Sequence, residues 1–133
     1  MKILKAIFTA ALLLTSGLSL AGKSSSVPVE VSTVDSWARG SMTTARFSDN
    51  LIESIGCGIR TYAEDVDGVV SESVTGFCQA NTSTSTYRIC YTTNPKLLDQ
   101  INSISDYSYI LFVWNDLGDC TYISTSTQSF YIP

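Results

Sequence analysis

The sequence predicts an all-β domain, an antiparallel β-sandwich or strongly curved sheet of six to seven strands carrying one short helix. Three observations lead there. Apolar and polar residues alternate along most of the chain after Trp37, which is the side-chain period of a half-buried strand. Clusters of Ser, Thr, Asn, Asp and Gly punctuate these runs where a sheet must turn. The stretch after Asn94-Pro95 is the one convincing helix, with a cap, a proline in the first turn and an apolar stripe at helical spacing. The alternative architecture is an α+β meander with the helix covering one sheet face.

Taken in order, Gly22 to Asp35 is small and polar and reads as a flexible lead or a first edge strand. Trp37 to Phe47 and Leu51 to Tyr62 flank the turn-forming Ser48-Asp49-Asn50, so a hairpin is expected. The competing reading is a short helix capped by Ser48 and ending at Gly56. In the second strand Leu51, Ile55, Cys57 and Ile59 share one face, which turns Cys57 inward, while Gly56, Gly58 and Arg60 share the other. Ala63 to Ser73 reads as an acidic loop. Val74 to Ala80 and Thr86 to Thr92 form a second hairpin, and a turn centred on Thr84 sets Cys78 opposite Cys90 and Phe77 opposite Tyr91. Asn94 caps a helix with Pro95 in its first turn and Leu97, Leu98, Ile101 and Ile104 along one stripe. Asp106 to Asn115 is apolar on both faces and is expected to be a central strand. Asp116 to Asp119 reverses the chain into Cys120 to Ser126, and Gln128 to Pro133 closes it as a last strand.

The start of the chain has the form of an export signal. Lys2 and Lys5 precede an apolar run, Ala6 to Leu14, and Ser19-Leu20-Ala21 offers small residues for cleavage after Ala21. The apolar run is too short for a membrane span of about 20 residues. Residues 1–21 are therefore read as a signal peptide, 22–35 as the lead and 36–133 as a single disulfide-stabilised domain. The expected location is secreted or periplasmic, with no membrane anchor after cleavage, and the short leader is of bacterial style. Removal of Lys2 and Lys5, with no acid lost, takes the formal charge from −4 to −6. The remaining cations are scattered singly, so neither nucleic acid nor an anionic membrane is an expected partner.

Four cysteines, Cys57, Cys78, Cys90 and Cys120, lie in the mature part, and an even number in a small exported chain reads as two disulfides. The hairpin register favours Cys78 with Cys90, which leaves Cys57 with Cys120. The chain lacks paired CxxC spacings, so no metal site and no cofactor are expected.

The absence of histidine removes the Ser-His-Asp and Cys-His arrangements and the usual near-neutral base. Acids are present, but no spacing selects two that must converge, so no catalytic residue is assigned. The string Glu64-Asp65-Val66-Asp67-Gly68 is a fragment of a calcium-loop pattern that lacks the third acid before the glycine and has Glu72 at the wrong offset. The Ser/Thr runs at 82–86 and 124–127 read as solvated β-surface, and Asn81-Thr82-Ser83 fits the glycosylation pattern in a host with that machinery. The remaining binding candidates are aromatic. Tyr107, Tyr109 and Trp114 are assigned to the core, and Tyr87, Tyr91, Tyr122 and Tyr131 to an exposed platform for an unknown ligand, a carbohydrate or a protein. The expected function is an exported, non-catalytic binding or surface-interaction module, and the alternative is a small secreted hydrolase using paired carboxylates.

Overall fold

Seven strands divide between two antiparallel sheets in the computed structural model, which describes residues 22–132. The predicted leader lies outside the described residues. The four-stranded sheet runs β1 (Glu30–Ser32), β2 (Trp37–Ser41), β6 (Tyr109–Trp114), β7 (Cys120–Ser126) across its width. The three-stranded sheet runs β3 (Ser54–Val66), β4 (Val69–Asn81), β5 (Tyr87–Thr92). Two helices join them, α1 (Met42–Arg46) between β2 and β3 and α2 (Pro95–Asn102) between β5 and β6. The mostly-β, sandwich-like class expected from the alternation is the one observed.

The core lies between the inner faces. Ala38, Ile110, Phe112 and Ile123 from the larger sheet meet Ile55, Cys78, Ala80 and Cys90 from the smaller. Period-two alternation selects these residues, and each of their strand neighbours turns away. Helix α2 starts as expected, with the Asn94 side chain accepting from the Lys96 N–H at 2.9 Å. Its stripe closes over β4 at Gly76, where a Cβ would stand 2.7 Å from Ile101 Cδ1 and 2.8 Å from Leu98 Cδ2. Only glycine lets the helix approach this closely.

Several expectations need correction. Trp37 to Phe47 is not one strand, because β2 ends at Ser41, whose hydroxyl accepts from the Thr44 N–H and caps α1. The two segments flanking Ser48-Asp49-Asn50 belong to different sheets and form no hairpin. Neither is Ser48 a helix cap, since residues 49–52 are bends and Leu51 is fully exposed. The supposed acidic loop, Ala63 to Ser73, is the tip of a long hairpin in which β3 and β4 pair from Ser54↔Asn81 out to Val66↔Val69. Asp67 and Gly68 form its two-residue turn with φ of 54° and 81°. Positive φ at both central positions is the geometry for which Asp-Gly is favoured, and it matches the twist of the flanking strands. The Gly68 N–H donates to Asp65 Oδ1 at 2.9 Å, so this acid serves the turn. At the C-terminus Ser129–Tyr131 forms a 3₁₀ turn where a strand was expected, with the Tyr131 ring stacked on Tyr109 at 5.8 Å.

The disulfide pairing also differs, although the register behind it is correct. Cys78 does stand opposite Cys90, and Phe77 opposite Tyr91. Cys78 equally stands opposite Cys57 on its other side, and the bonds formed are Cys57–Cys78 and Cys90–Cys120. In a central antiparallel strand a residue aims both backbone polar groups at one neighbour and leaves a closer, non-hydrogen-bonded pair with the other. The Cys57–Cys78 Cα separation of 4.0 Å marks that closer side. Cys90 then meets Cys120 where the Tyr91 N–H donates to the Gly118 carbonyl at 3.0 Å, bringing the edge of β5 to the start of β7. All four described cysteines are bonded, which fits an oxidising, extracellular-type compartment.

Candidate binding surface

Where β4 pairs with β5, the residues that face away from the core are Phe77 and Gln79 on β4 and Tyr87, Ile89 and Tyr91 on β5. On β3 the same face carries Gly56, Gly58 and Arg60, opposite Gln79, Phe77 and Thr75. The two glycines leave β3 without side chains beside the Phe77 ring, whose Cζ stands 2.9 Å from where a Gly58 Cβ would lie. Phe77 thus covers the bare backbone of Gly58, a cross-strand pairing of aromatic and glycine. The Arg60 guanidinium sits 4.7 Å from the Phe77 ring centroid, an arrangement stabilised by the ring quadrupole. Tyr87 donates its hydroxyl to Gln79 Oε1 at 3.2 Å. Tyr87 and Tyr91 remain 46% and 44% exposed, so their rings are open to solvent.

Tyr87 and Tyr91 are therefore brought to one surface, and the other two candidate tyrosines are not. Tyr122 stands on the outer face of the four-stranded sheet opposite Val113, which itself pairs with Trp37. Tyr131 leans on Tyr109 and Phe130 near the C-terminal turn. On this second face Arg39 lies 5.0 Å from the Trp37 ring centroid and pairs with Glu30 at 2.7 Å. Tyr109, assigned to the core from the sequence, is only half-buried here. Burial raises its pKa above the ordinary tyrosine value, Tyr131 and Glu30 add to the rise, and Arg39 opposes it.

Phe77, Gln79 and Arg60 were not among the sequence candidates. A signal for Phe77 was present, because the same register that set Cys78 opposite Cys90 set Phe77 beside Tyr91. A second feature without a sequence signal is a hydroxyl-rich cleft of about 350 Å³ lined in part by Ser25, Thr43, Phe47, Ser48, Asp49 and Tyr131. It forms because the lead crosses α1, with the Val27 N–H donating to Thr44 Oγ1 at 3.0 Å.

Two of the carboxylates hold turns. Glu53 accepts from the Val29 N–H at 2.7 Å and from Asn50 Nδ2 at 2.9 Å, tying the lead to the turn before β3. Asp119 accepts from Asn115 Nδ2 at 3.1 Å within the β6–β7 turn. Among the described residues no three acids or cysteines lie close enough to hold a metal ion, and no helix is long and apolar enough to cross a membrane. Comparison of the chain with protein-family models, with curated proteins and with solved structures finds no match.

Proposed function

We propose that the protein is an exported, non-catalytic binding module of the envelope or extracellular space, and that it holds an extended carbohydrate on the outer face of the three-stranded sheet. The observation that carries this reading is the grouping of Phe77, Tyr87 and Tyr91 on one exposed face, flanked by Gln79 and Arg60. Aromatic rings offer their faces to the C–H surface of a sugar, and the amide and guanidinium supply hydrogen bonds to its hydroxyls. Tyr87 and Tyr91 are four residues apart on β5, about 13 Å along the strand. That spacing suits a chain of sugar rings better than a single ring. The absence of histidine, which removes the usual near-neutral base, supports a role without catalysis.

The test incubates the chain from Gly22 onward with soluble polysaccharides and envelope fractions and measures retention. Retention that falls about tenfold, equivalent to ~1.4 kcal/mol, in Tyr87→Ala/Tyr91→Ala and is unchanged in Tyr122→Ala supports the proposal. Release of reducing ends from any of these polymers by the wild-type chain would replace it with the hydrolase.

A further inference from the structure

We infer that the free edge of β4 over Val69–Val74 is a docking site at which an extended, basic strand of another protein adds to the sheet. This site is separate from the aromatic face and stands without it. β4 is 13 residues long, but β5 pairs only with its second half, from Gly76↔Thr92 to Asn81↔Tyr87. The line of β5 stops there because Asn94 and Pro95 turn the chain into α2. Beyond Gly76 the hairpin continues alone as a two-stranded arm, about 23 Å long at the usual rise for its seven pairs. From Arg60 to Val74 every residue is exposed. The next strand position beside Val69–Val74 is therefore open and collinear with β5.

The composition of this edge is that of a recognition surface. Val69, Val70 and Val74 lie on it, with Val69 at 69% exposure, and Tyr62 and Val66 stand across the pair, also exposed. An isolated two-stranded hairpin is at best marginally stable in water, so an arm with both faces bare gains order from a third strand. The cross-strand pairs Tyr62↔Ser73 and Glu64↔Ser71 set large side chains on β3 over small ones on β4. The result is a groove of about 330 Å³ lined by Tyr62, Glu64, Ser71, Glu72 and Ser73.

Charge selects the occupant. Glu64, Asp65, Asp67 and Glu72 lie between Thr61 and Val74, and no Lys or Arg does. Strand alternation puts Val70, Glu72 and Val74 on one face of the arm, with Asp65 across the pair, and Val69, Ser71 and Ser73 on the other, with Glu64 across, so a strand carrying both Lys or Arg and apolar side chains on each face complements the acids and packs on the valines. A second copy is opposed, since two arms would bring eight carboxylates together on a chain of net negative charge.

The experiment uses the chain from Gly22 onward and a Lys-Val peptide of repeating Val-Val-Lys-Lys, which carries both residue types on each face of a strand, long enough to span Val69–Val74. Its controls are a Glu-Val peptide and the Lys-Val peptide with alternate backbone amides methylated, which keeps charge but cannot pair as a strand. The expected result is that only the unmodified Lys-Val peptide binds, and that it slows amide exchange at Val69–Val74. Glu64→Gln/Glu72→Gln lowers its affinity about tenfold. The body pair Asp99→Asn/Asp106→Asn, at exposed positions, leaves it within about twofold. All substitutions are at surface sites, and circular dichroism confirms that the variants fold. Equal binding of the methylated peptide, an unchanged affinity in the arm variant, or no binding at all because the acids merely guard the edge overturns the inference. So does a dimer in sedimentation whose amide exchange is slowed at Val69–Val74, which would place a second copy on the edge. Peptide binding that persists in Tyr87→Ala/Tyr91→Ala keeps this result distinct from that of the carbohydrate reading.

Discussion

Cys57 and Cys78 face each other across β3 and β4 with Cα atoms 4.0 Å apart, and their bond leaves Cys90, the other cross-strand neighbour of Cys78, to reach Cys120 on the opposite sheet. One disulfide thus staples a hairpin, and the other ties the two sheets together. The closed loops span 21 and 30 residues, so chain entropy alone assigns each about 3 to 4 kcal/mol.

The two bonds are expected to differ in what else they support. Cys90 and Cys120 are buried, so Cys90→Ala/Cys120→Ala leaves a void between the sheets and costs about 4 to 5 kcal/mol. Cys78 is fully buried as well but Cys57 is only half-buried, so Cys57→Ala/Cys78→Ala leaves a smaller void and is expected to cost about 3 to 4 kcal/mol. Urea unfolding of the two double variants checks the order, and non-reducing peptide mapping checks the pairing. A linked peptide joining Cys78 to Cys90 contradicts it.

Two glycines in strands predict opposite outcomes. A Cβ at Gly40 would stand 3.0 Å from Val29 Cα and 3.3 Å from the Pro28 carbonyl oxygen, backbone atoms of the lead that have no side-chain freedom to yield. Gly40→Ala is expected to destabilise by about 1 to 3 kcal/mol. Gly56 has open space around its Cβ direction, and Gly56→Ala is expected to stabilise by about 0.5 to 1 kcal/mol through the unfolded chain. Thermal melts of both variants give the sign directly.

Alkaline pH acts through Tyr109. Its pKa is raised in the fold, chiefly by burial, so the folded chain holds this proton more tightly than the unfolded chain. The stability it contributes is complete below the ordinary value of 10.0 and is lost as the pH rises through the higher folded value. Denaturation midpoints measured across that window should fall with pH in the wild type. Tyr109→Phe should flatten the fall, and an unchanged slope would remove Tyr109 as its source.

The tip of the arm offers a local test. Gly68 holds φ at 81° with open space about it, so Gly68→Ala strains only the backbone, by about 1 kcal/mol. The exposed arm should absorb this cost by opening by itself. Amide exchange should accelerate at residues 62–73 with little change in the global melting temperature. Equal acceleration in β6 would show that the arm and the body unfold together.

Asn94→Ala removes the side-chain acceptor for the Lys96 N–H at the start of α2 and is expected to cost about 1 kcal/mol. Asn94→Ser or Asn94→Asp should recover most of it. A loss that neither substitution recovers would mean that the amide does more than cap.

The sequence by itself determined what depends on near neighbours along the chain. Asn94-Pro95 announces α2, the continuous apolar run from Tyr109 to Trp114 announces the strand that carries Ile110 and Phe112 into the core, and the Ser/Thr turn sets Cys78 opposite Cys90. Each is a matter of spacing within about ten residues. The Asp67-Gly68 turn is legible in the same way, but the acidic stretch around it reads as a loop because exposure on both faces erases the alternation that marks a strand. Only the tertiary structure decided the rest. Ser41 ends β2 and caps a helix because the chain must cross there from one sheet to the other. Tyr87 and Tyr91 share a surface with Phe77, while Tyr122 stands on the other sheet and Tyr131 in the C-terminal 3₁₀ turn. Cys78 had a cross-strand cysteine on each side, and the pleat, by pointing the backbone groups of a central strand at only one neighbour, chose Cys57. Such a choice depends on which strands lie side by side, and residues far apart in sequence carry no local signal of it.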